Sequence, residues 1–210
     1  MLKSYYTVNR EGSDEVTIQK SRFIGYVKRV ETEEEAQVFI NRIKKKHHDA
    51  NHNCSAYIIG ENDEYQKAND DGEPSGTAGV PILEVLKKKH LKDTAIVITR
   101  YFGGVKLGAG GLIRAYSSTT SQAIATTGIV KRHLVTGFSI IADYTLLGKL
   151  ENAIRNTSYI LDQIDYLDKV DLRVYVGSEE IDEFYSWIID LTNDQVSITG
   201  KDTRYVETPL

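Results

Sequence analysis

Five glycines in nine residues, Gly103, Gly104, Gly108, Gly110 and Gly111, stand between the apolar run TAIVITRYF at 94 to 102 and a helical pattern that begins near Leu112. A strand, a glycine loop and a helix in that order let backbone N–H groups approach an anion at the helix start, where the helix dipole favours negative charge. Arg100, Lys106 and Arg114 add positive side chains around the loop. The known phosphate motifs do not match. A P-loop places Lys and Ser/Thr after its second glycine, whereas Ala109 and Gly110 follow Gly108, and a dinucleotide fingerprint opening at Gly108 needs glycine where Ile113 stands. Three readings stay open: an anion or nucleic-acid site, a tight structural turn, or a catalytic loop.

A second polar segment, DDGEPSGTAG at 70 to 79, sets Asp70, Asp71 and Glu73 ahead of Ser75 and Thr77. Such a set could ligate a hard cation or act in acid/base chemistry, although its spacing is not that of an EF-hand. The same residue types also form turns, with Ser75 or Thr77 capping the helix that follows. His47, His48, His52 and Cys54 form a third cluster, but Asn51 and Asn53 end the helix that would align them, so no metal and no cofactor is expected. His52 is assigned instead to the surface of the two loops, as a hydrogen-bonding residue. No Gly-x-Ser-x-Gly elbow or His-Glu-x-x-His pair supports hydrolase chemistry. The expected site is a ligand- or nucleic-acid-binding one made of His52, Asp71, Glu73, Ser75, Arg100, Gly103, Gly104, Lys106, Gly108, Gly110, Gly111 and Arg114, in a non-enzymatic protein.

These segments need a scaffold. Residues 4 to 8 and 14 to 30 read as strands. Thr32 with Glu35 is a capping box for a helix carrying Ala36, Phe39, Ile40 and Ile43 on one face and Lys44-Lys45-Lys46 at its end. Cys54 to Gly60 reads as a buried strand paired with Tyr65 to Ala68, and a helix follows from Ala78 to Lys88 with Pro81 in its first turn. The helix after the glycine loop runs from Leu112 to about Thr127, where Gly128 stops it. Beyond it the order is strand 134–142, helix 145–156, strands 159–167 and 170–177, helix 179–191 and strand 195–206, the ferredoxin-like βαββαβ unit. The boundary between two domains is placed at 131/132, giving an α+β protein. In the last helix Ile181, Tyr185, Ile188 and Ile189 are the predicted sheet-facing residues.

Charge divides at the same point. Residues 1–131 carry 19 Lys/Arg against 16 Asp/Glu, and the remainder 7 against 14, so +3 is followed by −7. A phosphate-rich partner suits the first part, and a protein partner suits the acidic second. Lys87–Lys89, Arg22, Lys28 and Arg29 could extend a basic face, with Tyr101, Phe102 and Tyr116 as stacking surfaces. The single cysteine and the lack of a signal-like or membrane-length apolar run place the protein in the cytoplasm, away from the membrane.

His52-Asn53-Cys54, DGEPSGTAG at 71 to 79 and RYFGGVKLGAGGLIRAY at 100 to 116 resemble the signature of the IMPACT family in its bacterial, YigZ-type form. The resemblance implies an amino-terminal domain with the fold of the second domain of a small-subunit ribosomal protein, a mixed sheet with helices on one side. It also implies a ferredoxin-like C-terminal domain similar to the fifth domain of elongation factor G. Both folds recur in translation proteins, so the resemblance implies a translation-associated regulator whose partner is RNA or the ribosome. Eukaryotic members compete for the activator of a kinase acting on an initiation factor through a further amino-terminal domain, and that partner role is not carried over. The alternative is a nucleotide- or phosphate-binding enzyme that uses the same glycine loop with Asp71 or Glu73.

Overall fold

The computed structural model describes residues 1–210. They cluster into two compact units, Tyr5–Lys131 with Thr208–Leu210, and Arg132–Glu207 with Met1–Ser4. Up to the glycine-rich region the elements are β1 (Ser4–Val8), β2 (Gly12–Ile18), β3 (Ser21–Arg29), α1 (Glu33–Lys46), β4 (His52–Ile59), β5 (Tyr65–Asn69), α2 (Gly79–Lys88), β6 (Thr94–Tyr101) and α3 (Gly108–Thr127).

The first sheet runs β2-β3-β6-β4-β5, and each of these pairings is antiparallel. The α+β class holds. Within it, the sheet is antiparallel rather than mixed, and helices lie against both faces rather than one. Two strands explain the difference, because β4 and β6 bury nearly every residue along their length. Alternation sends successive side chains to opposite faces. Ala56, Ile58, Ile96 and Ile98 enter one core with Ile82, Leu86, Leu112 and Ala123 of α2 and α3. Tyr57, Ile59, Ala95 and Val97 enter the other with Phe39, Ile40 and Ile43 of α1. A strand that is apolar on both sides requires a cover on each.

Local signals account for most boundaries. Thr32 Oγ1 accepts from the Glu35 N–H at 3.2 Å, and the Glu35 carboxylate accepts from the Glu31 N–H at 2.8 Å, closing the start of α1. The stretch read as strand from 14 to 30 is two strands. They are joined by Gln19-Lys20 with φ of 45° and 66°. A two-residue turn with both φ positive normally advertises itself with Asn or Gly, and neither is present here.

The second unit carries most of β7 (Ile129–Ala142), α4 (Tyr144–Arg155), β8 (Ile160–Tyr166), β9 (Val170–Gly177), α5 (Ile181–Thr192) and most of β10 (Ser197–Pro209). β7 lies between β10 and β9, with β8 beyond β9. The order β10-β7-β9-β8 is that of a ferredoxin-like unit. On α5 the buried residues are Phe184, Ile188 and Thr192. Ile189, predicted to face the sheet, is 41% exposed, because the helix turns its stripe toward Phe184. No helix is long and apolar enough to cross a membrane.

Phe184 meets Tyr159 and Trp187 with ring centroids 5.2 and 6.5 Å away. Trp187 is the single tryptophan, so its fluorescence reports on this core. Phe184→Ala is expected to destabilise the second unit by about 3–5 kcal/mol, read as a lower urea midpoint in the Trp187 fluorescence transition.

Candidate functional site

Arg100 pairs in register with Phe23 of β3 on one side and His52 of β4 on the other, so three strands deliver these side chains to one region. The segment after β5 folds back over them. Asp71 Oδ2 accepts from the Asn53 N–H at 2.6 Å, Oδ1 accepts from Lys44 Nζ at 2.5 Å, and the Asp71 carbonyl lies 2.9 Å from His52 Nδ1. A carbonyl can only accept, so Nδ1 carries a proton. That Nε2 is 3.8 Å from Glu73 Oε2.

Glu73 is the centre of the arrangement. Its Oε1 accepts from Arg100 Nη1 at 2.6 Å and from the Tyr116 hydroxyl at 2.8 Å. The side chains of Arg100 and Glu73 are only 6% and 3% exposed. Arg100 Nη2 also reaches Ser21 Oγ at 3.4 Å, and the guanidinium lies 5.4 Å from the Phe23 ring centroid and 5.5 Å from that of Phe102. Cys54 Sγ lies 3.0 Å from the Asp70 carbonyl and 3.3 Å from the Tyr116 hydroxyl, and burial pushes its thiol up to about 12. Burial likewise raises the Tyr116 phenol far above its ordinary value. The two polar segments therefore meet, joined through Glu73, Arg100 and Tyr116.

Asp70 caps α2 from outside the helix. Its carboxylate accepts from the N–H groups of Gly76 at 2.8 Å, Ala78 at 3.0 Å and Gly79 at 2.8 Å. Neither Ser75 nor Thr77 takes that role, since Ser75 is exposed and Thr77 Oγ1 donates to the Pro74 carbonyl at 2.6 Å. An acid reaching forward six to nine residues leaves no short-range pattern.

On the other side, Gly103 passes so close to the β2–β3 turn that a Cβ there would stand 1.9 Å from the Lys20 carbonyl oxygen. α3 begins at Gly108, whose φ is +69°, ahead of the expected Leu112. Its N-cap, Leu107, offers no side-chain hydrogen bond, and the first turn contains no acid. Lys106 and Arg114 are exposed, and Arg114 Nη1 lies 3.6 Å from where a Cβ on Gly110 would be. Between this helix start and the buried ion pair is a pocket of about 370 Å³. Pro74, Phe102, Leu107 and Leu112 supply its apolar walls, and Arg100, Glu73 and Lys106 its charged ones.

Glu73, Arg100, Lys106 and Gly108 thus line one pocket, and His52 and Asp71 are joined to it through the His52 contact with Glu73, whereas Ser75, Gly103, Gly104, Gly110, Gly111 and Arg114 do not line it. Tyr116, taken from sequence as a stacking surface, is fully buried; Phe102, 47% exposed, is available. Of the cations expected to extend a basic face, Arg22 is paired with Glu15 and Lys87 lies near Glu84, and Lys44 and Lys92 are likewise paired with Asp71 and Asp63. Ser21 and Phe23 were missed, and Asp70 was read as a cation ligand or acid/base group rather than as a cap, because their partners lie on other elements.

Two measurements follow from this geometry. Burial alone would raise the Asp70 carboxyl, but the hydrogen bonds from Gly76, Gly79 and Ala78 outweigh it and hold it below its ordinary value. A group lowered in the folded state contributes stability above its unfolded value, near 3.9, and loses it as pH falls through the folded value. Asp70→Asn is expected to cost about 1–2 kcal/mol at neutral pH, the gap from wild type closing at acid pH in urea unfolding. Cys54 is expected to stay silent to a disulfide thiol reagent at mildly alkaline pH in the native protein and to react at once in denaturant.

Two family models match the chain, the Impact N-terminal domain over residues 19–124 and a Domain of unknown function (DUF1949) over residues 140–195. The IMPACT family member YvyE of Bacillus subtilis (strain 168) is 55% identical over 207 residues, covering 99% of this chain and 95% of that protein. The IMPACT family member YigZ of Escherichia coli (strain K12) is 31% identical over 183 residues, covering 86% and 90%. A solved structure described as a hypothetical protein is similar with a TM-score of 0.61 at 27% identity, covering 96% of this chain and 99% of that one. With both the amino-terminal motifs and nearly the full length shared, the chain belongs to the IMPACT family.

Proposed function

We propose that this protein is a translation-associated regulator that binds RNA, on the ribosome or free of it, through its first unit. The family resemblance supplies the link to translational control. The observation that carries the binding reading is the start of α3: a helix of 20 residues opening on Gly108-Ala109-Gly110-Gly111, uncapped, with exposed Lys106 and Arg114 beside it. The first four N–H groups of a helix have no acceptor within it, and such groups hold the phosphates of a polyanion well. Phe102 adds an exposed ring on which a base can stack.

The enzyme alternative asks Asp71 or Glu73 to hold Mg²⁺ or accept a proton. Asp71 is occupied by the Asn53 N–H and Lys44, and Glu73 by Arg100 and Tyr116, so both carboxylates serve protein donors. The stretch 132–210, with its −7 balance, suits a protein partner, and charge complementarity would set that choice. The cytoplasm, where ribosomes lie, is the compartment this reading requires.

The test is co-sedimentation with ribosomes and their subunits across a salt series. Two or three phosphate contacts give an affinity that falls roughly tenfold between about 50 and 200 mM salt. Lys106→Glu is expected to weaken binding while leaving the thermal transition in place. Binding indifferent to salt, or none at low salt, overturns the reading.

A further inference from the structure

The pocket beside the buried ion pair holds two sets of donors that the protein itself leaves unanswered. One is the first turn of α3, where neither a capping side chain nor an acid accepts from the N–H groups. The other is Arg100: it lines the pocket, is 5% exposed, and its Nε finds no hydrogen-bond partner. Buried donors without acceptors are uncommon and call for an explanation. Both sets are cationic in character, and Lys106 lines the same space.

The rest of the lining is apolar apart from the Glu73 carboxylate, which already accepts from Arg100 and Tyr116, and it includes the exposed ring of Phe102 together with Pro74 and Leu107. A volume of about 370 Å³ lies at the small end of ligand sites, suited to one nucleotide and not to several. From these features the geometry points to a terminal nucleoside phosphomonoester as the ligand. Its base rests on Phe102, and its phosphate faces Lys106 and the α3 amides. A monoester offers three free oxygens and close to two negative charges, whereas an internal phosphodiester offers two oxygens and one charge and must let the chain leave in both directions. The end of a strand fits the recess better than its middle. This assignment rests on the RNA-binding reading for the strand-end source, while a free nucleoside monophosphate supplies the same chemistry without it.

Titration calorimetry on the full chain separates the two ideas. The probes are AMP, adenosine, inorganic phosphate, and one short single-stranded RNA prepared with hydroxyl ends, with a 5′-phosphate and with a 3′-phosphate. A preference of tenfold or more for a phosphorylated end over the hydroxyl-ended RNA, or for AMP over adenosine, supports the assignment. In that case Phe102→Ala is expected to weaken AMP roughly tenfold, the size of a lost stacking contact, and to leave inorganic phosphate unchanged. Ala109→Pro removes one amide from the helix's first turn, where proline is tolerated, and is expected to weaken both. If all three RNAs bind equally and AMP no better than adenosine, the assignment is overturned and RNA binding stands. AMP bound in preference to adenosine with no RNA bound at all keeps the assignment and overturns the RNA reading. No binding by any probe overturns both.

Discussion

A carboxylate and a guanidinium removed from water together are stable only if each meets the other and the remaining donors and acceptors are filled. Glu73 and Arg100 approach that condition at 2.6 Å, with the Tyr116 hydroxyl on the same oxygen and Ser21 near the guanidinium. The four residues come from the loop before α2, from β6, from α3 and from the start of β3. Because removal of either charge strands its partner in a buried place, all four elements are tied to one geometry. The pocket exists because that tie is made below the glycine loop.

The scaffold around the tie is built from close backbone approaches. Gly103 slides against the carbonyl of Lys20, and its N–H reaches Ser21 Oγ at 3.2 Å. The left-handed residues Gln19 and Lys20 bring that carbonyl there. On the opposite flank, Asp70 holds three amides at the start of α2, and Asp71 holds the Asn53 amide at the start of β4. Adjacent acids in one short loop thus serve two different elements. His52 is fixed by the same loop through the Asp71 carbonyl.

The starts of α1, α2 and α3 differ in what their amides meet. α2 receives its acceptor from Asp70, and α1 receives its own from Thr32 and Glu35. α3 receives none, although it is the longest of the five helices. Its buried stripe, Leu112, Ala115, Tyr116, Thr119, Thr120, Ala123 and Ile124, follows helical spacing and packs the helix on the sheet. Packing therefore carries the helix's stability, and the amides at its start receive no side-chain acceptor.

Much was determined by the sequence alone. Apolar periodicity placed the helices of both units, the continuous run at 94 to 102 marked a central strand, and the βαββαβ order marked a ferredoxin-like unit, because these signals act between residues a few positions apart. The glycine spacing and flanking cations likewise identified the loop as a place where backbone approaches something closely. Tertiary structure alone decided that Glu73 meets Arg100, that Tyr116 turns inward, that Asp70 caps α2 and that the first sheet is covered on both faces. It also decided that the Lys44 and Lys92 charges are spent on neighbouring acids. Those facts depend on which strands lie side by side and on where water is excluded. Register and burial are properties of the assembled chain, so no local pattern encodes them.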